Sequence, residues 1–66
     1  MKVTKKSVLT GKTNSMELDV DAFDLIAMQN GGLVQDVCPH LTIIEREFLI
    51  SGMSEAEQDK LFGAAQ

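Results

Sequence analysis

The C-terminal third of the chain repeats one local pattern, a capping hydroxyl followed three residues later by an acid and then by a glycine. The two copies are Thr42-Ile43-Ile44-Glu45 before Gly52 and Ser54-Glu55-Ala56-Glu57 before Gly63. In such a capping box the hydroxyl accepts from the third helical N–H, and the acid accepts from the N–H of the capping residue. Glycine ends a helix because it adopts the left-handed conformation without strain. The pattern therefore predicts two short helices joined by a tight turn, an αα-hairpin.

The N-terminal third predicts a β-hairpin. KVTKKSVLT is rich in β-branched residues, GKTN has the composition of a turn, and SMELDV alternates apolar with polar residues. In the first stretch Val3 and Val8 have opposite parity, which predicts a bulge or a strand covered on both faces. The inner face of the second strand would hold Met16, Leu18 and Val20.

Two further helices are expected between these hairpins. Asp21 suits the N-cap of the first, with Asp24 in its first turn, and Asn30-Gly31-Gly32 suits its end. The apolar run that follows, LVQDV, predicts one or two helical turns, because Pro39 interrupts it soon afterwards. In the last helix we expect the acids to face water and three residues to face the core: Ala56, Leu61 and Phe62.

The expected architecture is a single small domain of the α+β class over residues 1–66. It comprises the β-hairpin at 1–20, three or four short helices at 21–63, and a frayed tail at 64–66. A chain of 66 residues buries only about 60% of the surface that its unfolded form exposes. One cysteine excludes an internal disulfide, and one thiol with one histidine cannot form a structural zinc site. We therefore expect no cofactor or metal, and some stability gained from a partner or from oligomerisation.

The sequence contains no recognisable targeting or membrane segment. Its basic start lacks a continuous apolar region, and no run of eighteen apolar residues occurs. An unpaired Cys38 without an export signal favours the cytoplasm.

Charge is segregated along the chain. Residues 1–12 contain four lysines and no acid, whereas residues 13–66 contain all ten acids against one lysine and one arginine. The basic start could follow a nucleic-acid backbone. Base stacking is not expected, because Phe23, Phe48 and Phe62 are placed like core residues, and the acids of the last helix would repel a duplex. A nucleic-acid contact is therefore the alternative function, through Lys2, Lys5, Lys6 and Lys12.

No catalytic centre is expected. Cys38 and His40 are close in sequence, but Pro39 extends the backbone between them and no third group is available to orient the imidazole. We therefore expect a buried Cys38 and a surface His40. Gly31-Gly32 lacks the companion lysine of a phosphate loop, and no spacing of carboxylates indicates an acid–base pair.

The helix predicted after Thr42 is apolar in more than one direction. Ile44 and Phe48 share one face, whereas Ile43 and Ile50 lie about 100–120° away. Such a helix needs more than one covering neighbour. Either the hairpin and the other helices cover all of it, or part of it is an exposed patch that binds another chain. The residues predicted for this contact are Ile43, Glu47 and Ile50.

Four segments form a wider pattern: Gly32-Leu33-Val34-Gln35, Pro39-His40-Leu41-Thr42, Arg46-Glu47-Phe48-Leu49-Ile50-Ser51-Gly52 and Leu61-Phe62. Together with KKSVLTGKTNSMELDV, this pattern resembles a family of very short, mostly uncharacterised proteins of bacteriophage and prophage genomes. The chain differs from that pattern where Ile43 and Ile44 replace acidic or small residues. The resemblance implies a viral accessory protein and assigns no catalytic or binding residue.

The sequence as a whole predicts a non-enzymatic, phage-type accessory protein that binds a host or phage protein stoichiometrically. Inhibition of a host defence or regulatory complex is one such role. The alternatives are a nucleic-acid-binding module that uses the lysine-rich hairpin and a structural homo-oligomer.

Overall fold

The computed structural model describes residues 1–62, and of Phe62 only the backbone. An antiparallel two-stranded hairpin is followed by four helices, which confirms the α+β class and the αα-hairpin at the end of the fold. The predicted stop at Gly63 and the tail at 64–66 lie outside the described residues. The elements are β1 (Lys2–Lys6), β2 (Thr13–Glu17), α1 (Ala22–Gln29), α2 (Val34–Val37), α3 (Ile43–Ser51) and α4 (Glu55–Phe62).

The hairpin places its apolar residues on one face, as the alternation predicts. β1 and β2 pair in a register that sets Val3 opposite Met16. Val3, Leu18 and Val20 are buried, and Met16 packs against them. The opposite face is polar and exposed, with a hydrogen bond between the hydroxyls of two paired residues of the strands.

The loop between the strands is longer than predicted and lies earlier in the chain. β1 ends at Lys6 and the loop covers 7–12, so part of the expected turn belongs to β2. Ser7 Oγ accepts from the N–H of Leu9 at 3.1 Å, which folds the chain directly after the strand. Val8 therefore lies in the loop, and the expected bulge or two-sided strand is wrong: the change of parity marks the end of the strand.

The caps predicted at Asp21 and Thr42 both form, and at the start of α4 the Ser54 hydroxyl accepts from the N–H of Glu57 at 3.2 Å, as predicted. Asp21 Oδ1 accepts from the N–H of Asp24 at 2.9 Å, and the Asp24 carboxylate accepts from the N–H of Asp21 at 3.1 Å. Thr42 and Glu45 make the same reciprocal pair at the start of α3. These caps fix the rotation of each helix, because they fix where its first turn begins.

The core lies where the hairpin meets α3. Phe48 and Cys38 are fully enclosed and Leu18 is nearly so, which confirms the buried position of the thiol. The remaining buried members of this cluster are Val3, Val20, Leu41 and Leu49. The core thus takes buried apolar residues from β1, from the segment that follows β2, from the segment before α3 and from two sides of α3.

α4 is attached to the fold through polar groups, contrary to prediction. Ala56 and Leu61 are exposed, so their predicted core positions are wrong, and the side chain of Phe62 lies outside the described part. Gln58 is buried instead. Its amide donates to the carbonyl of Ile44 at 3.0 Å and to the carbonyl of Met53 at 3.1 Å. The amide satisfies a carbonyl in the buried turn between α3 and α4 that an apolar residue would leave unpaired.

Glu57, predicted to face water, joins α4 to the hairpin. One carboxylate oxygen accepts from Ser7 Oγ at 2.5 Å and from Thr10 Oγ1 at 3.0 Å. The other accepts from the amide of Asn14 at 2.5 Å. These hydrogen bonds, with that from Ser7 the strongest cause, lower the pKa of Glu57 from its ordinary 4.5 to about 2.

We expect Glu57→Gln to make stability less dependent on pH in acid. Because the folded-state pKa of about 2 lies below the ordinary 4.5, the ionised carboxylate stabilises the fold fully above about pH 5. That contribution is lost as the pH falls toward about 2, where the folded carboxylate takes up its proton. The denaturation midpoint of the wild type should therefore fall more steeply over this range than that of the variant.

Glu55→Gln is the matched control for this measurement. Glu55 is an exposed acid in the same helical turn and makes no side-chain hydrogen bond among residues 1–62. We expect Glu55→Gln to keep the wild-type profile, and a common slope for all three proteins would contradict the role assigned to Glu57.

Candidate functional site

The two sides of α3 that pack inside the protein determine which of its residues remain outside. Phe48 faces the core, and Leu49 faces β1, whose Lys5 Nζ donates to the Leu49 carbonyl at 2.6 Å. On the side of Ile44, α4 approaches, and Gln58 donates to the Ile44 carbonyl. The hairpin and α4 therefore cover the directions of Leu49 and Ile44.

Of the three residues predicted for a partner contact, Ile43, Glu47 and Ile50, the described chain leaves both isoleucines uncovered. Ile43 is 81% exposed and Ile50 is 63% exposed, while Glu47 between them is half-buried. Seven residues separate the two isoleucines, so they lie on nearly the same line about 10 Å apart along the helix. Neither the hairpin nor another element of residues 1–62 covers the second apolar direction of α3.

The ends of this face are held by specific contacts. At the C-terminus of α3, the Val8 N–H of the hairpin loop donates to the Ser51 carbonyl at 3.0 Å. Near its N-terminus, the Arg46 guanidinium donates to the Pro39 carbonyl at 2.7 Å, which ties the preceding loop to the helix. The isoleucines are thus presented on a helix whose two ends are both fixed, so a partner would meet a preformed surface.

A second exposed apolar pair lies on α1 and was missed by sequence reasoning. Phe23 is 80% exposed and Ile26 is about half exposed, so the predicted core position of Phe23 is wrong. The N-cap at Asp21 could have indicated this position, because it fixes the first turn of α1. In that helix Leu25 and Met28 are the residues that pack against the core. Phe23 and Ile26 are three residues apart on another side of the helix.

The four lysines of the alternative interpretation are not equivalent. Lys2 and Lys6 are exposed on the outer face of β1, and Lys12 is exposed in the loop. Lys5 lies on the inner face of β1 and is half-buried, and its ammonium donates to the Leu49 carbonyl near the C-terminus of α3. That position favours a cation because of the helix dipole, so Lys5 has a structural role that the sequence did not indicate.

The thiol and the imidazole near Pro39 do not meet as a reactive pair. Cys38 is buried, and this burial, with smaller effects from the carboxylates of Asp24, Asp21 and Asp19, raises the pKa of its thiol. His40 is exposed, and its Nε2 lies 2.6 Å from the Asp19 carbonyl. The expected assignment of a buried Cys38 and a surface His40 is therefore confirmed, with His40 tying the segment before α3 to the end of the hairpin.

Comparison of the chain with models of protein families, with curated proteins and with solved structures finds no match. Within residues 1–62, none of the helices has the length and apolar character needed to cross a membrane. The assignment of the α3 face as a candidate site therefore depends on the geometry of the face alone.

Proposed function

We propose that this protein acts without catalysis, by binding a host or phage protein stoichiometrically through the Ile43–Glu47–Ile50 face of α3. The observation that carries the proposal is the exposure of both isoleucines, at 81% and 63%, on a helix whose Phe48 and Leu49 are buried. Inhibition of a host defence or regulatory complex is the form of action we favour, in keeping with the phage-type sequence pattern.

The energetics support a protein partner. Fully burying an isoleucine side chain is worth about 1.5–3 kcal/mol relative to leaving it exposed. Two exposed isoleucines on an ordered helix can therefore form the apolar centre of a protein interface, in contact with aromatic or aliphatic side chains of the partner. Glu47 between them supplies one polar group that can fix the orientation of the partner.

We expect the double variant Ile43→Asp/Ile50→Asp to lose the partner while keeping the fold. Tagged wild-type protein and the variant would be used as bait in a lysate of bacterial cells, before and after phage infection. The wild type should retain a partner in a one-to-one ratio. The variant should retain at least about tenfold less of it, because the apolar contact of both isoleucines is lost and two charges would be buried without partners.

The matched control is Val8→Asp. Val8 is aliphatic and 78% exposed, and it lies in the hairpin loop. Its substitution therefore removes exposed apolar surface at a site away from the α3 face. Loss of the partner by Val8→Asp as well, or retention by the α3 variant, would overturn the proposal. So would sedimentation that shows a dimer which the α3 variant dissociates, because a second copy would then cover this face.

A further inference from the structure

One edge of β1 has no strand beside it in the described chain. Met1 and Leu18 exchange two backbone hydrogen bonds, at 2.9 and 2.6 Å, and hydrogen-bonded pairs alternate along an antiparallel ladder. The register therefore turns the N–H and C=O groups of Lys2 and Thr4 away from β2. Because the sheet has only these two strands within residues 1–62, those groups form an open edge.

A groove of about 410 Å³ runs along this edge, between β1 and α1. Its lining contains apolar residues from β1, α1 and α3, with three polar neighbours. The α3–α4 turn limits the edge at the other end, because Gly52 packs directly against the Lys6 carbonyl. The residues that line the groove are Val3, Thr4, Lys5, Leu25, Met28, Gln29 and Leu49.

The open edge is positively charged. Lys2 and Lys6 are exposed on the face of β1 that points to solvent, and Lys5 borders the groove itself. Within the described residues none of the three forms an ion pair with a carboxylate. Glu17, which is opposite Lys2 in the register, pairs instead with the N-terminal ammonium at 3.2 Å.

We propose that this groove binds an extended acidic segment of a partner protein by strand addition. The backbone of the segment pairs with Lys2 and Thr4, its apolar side chains enter the groove beside Leu25 and Met28, and its carboxylates lie beside Lys2. Since side chains of a strand alternate between faces, the segment alternates apolar with acidic residues. This inference goes beyond the α3 face, because it concerns another surface and another kind of contact.

A second copy of the folded chain does not meet these requirements. The stretch of this sequence that alternates apolar with acidic residues contains Leu18 and Val20, and both are buried in the chain's own core. Pairing two β1 edges would bring Lys2 and Lys6 of each copy together, and like charges on neighbouring strands are destabilising. The occupant is therefore a segment of a different protein.

The test uses three probes in NMR titrations of the full-length protein. The first is an acetylated, amidated hexapeptide that alternates valine and glutamate, the second replaces its glutamates by lysines, and the third is a single-stranded oligothymidylate. We expect saturable shifts of the Lys2, Thr4 and Gln29 amides with the acidic peptide, and slower exchange of the Thr4 N–H. The lysine peptide should bind at least about tenfold more weakly.

Paired variants separate strand addition from general charge attraction. Thr4→Pro removes the outward N–H, and Ser15→Pro removes the corresponding outward N–H from β2, which is opposite Thr4 in the register. Only Thr4→Pro should weaken binding of the acidic peptide. If either proline variant has a disturbed NMR spectrum, the pair Lys2→Glu and Lys12→Glu is used in place of the proline variants. Only Lys2→Glu should then weaken binding of the acidic peptide.

The proposal is overturned if the acidic peptide shifts residues outside the groove, or if the lysine peptide binds equally well. Preferential binding of the oligothymidylate would instead favour a nucleic-acid partner. Ile43→Asp should leave peptide binding unchanged, so failure of the α3 face and failure of the groove are distinguishable.

Discussion

Gly52→Ala should remove most of the protein's stability and leave it close to the limit of folding at room temperature. Gly52 has φ 77°, and an alanine held in this left-handed conformation costs about 1–2 kcal/mol. In addition, its Cβ would lie 2.3 Å from the Lys6 carbonyl oxygen, so β1 or the α3–α4 turn would have to move. We expect a total loss of about 3 kcal/mol or more, against about 3–5 kcal/mol for a domain of this size. Urea unfolding followed by circular dichroism measures it.

Gly11→Ala is the matched control for the backbone effect. Gly11 has φ 75°, nearly the same as Gly52, but its added Cβ would meet only the end of the Lys6 side chain, at 3.8 Å. This variant should lose about 1–2 kcal/mol, from the backbone conformation alone. If the two alanine variants were equally destabilised, the close packing of the hairpin against the α3–α4 turn would not be the source of the effect.

Phe48→Ala should destabilise the protein by about 3–5 kcal/mol, because it leaves a cavity at the centre of the core. Phe48 has no exposed surface and packs in the cluster where the hairpin and α3 meet. The variant should therefore be close to the limit of folding under native conditions. Its free energy of unfolding can be obtained by urea titration in the presence of a stabilising osmolyte, with the wild type measured alongside.

Phe23→Ala provides the opposite case for the same residue type. Phe23 is 80% exposed, so its truncation should change the free energy of unfolding by no more than about 0.5 kcal/mol. A loss above about 2 kcal/mol would place Phe23 in the core and contradict the structure. The two phenylalanines cannot be told apart by composition or hydropathy, so this comparison tests the packing itself.

Local rules located most of the secondary structure because each of them acts within one turn of chain. The caps at Asp21 and Thr42 and the stop at Gly52 involve groups only a few residues apart, and all three are observed. The inner face of β2 also follows from alternation alone. Where a local rule had two outcomes, as with Val8 after β1, the hydroxyl of Ser7 decided in favour of a turn.

Long-range contacts escaped sequence reasoning because residue type does not identify a distant partner. An acid on a helix is usually solvated, yet Glu57 accepts hydrogen bonds from Ser7, Thr10 and Asn14 of the hairpin. A glutamine is usually exposed, yet Gln58 is buried because carbonyls near the α3–α4 turn need a donor. Each role depends on where the hairpin and the helices dock.

The candidate face on α3 depends partly on local sequence rules and partly on long-range contacts. The sequence by itself determined that α3 is apolar in several directions, since helical periodicity places Ile43 and Ile50 away from Phe48. Only the tertiary structure decided which direction stays open, because α3 has a limited number of neighbours. β1 lies against Leu49 and α4 against Ile44, and no described segment covers Ile43 and Ile50.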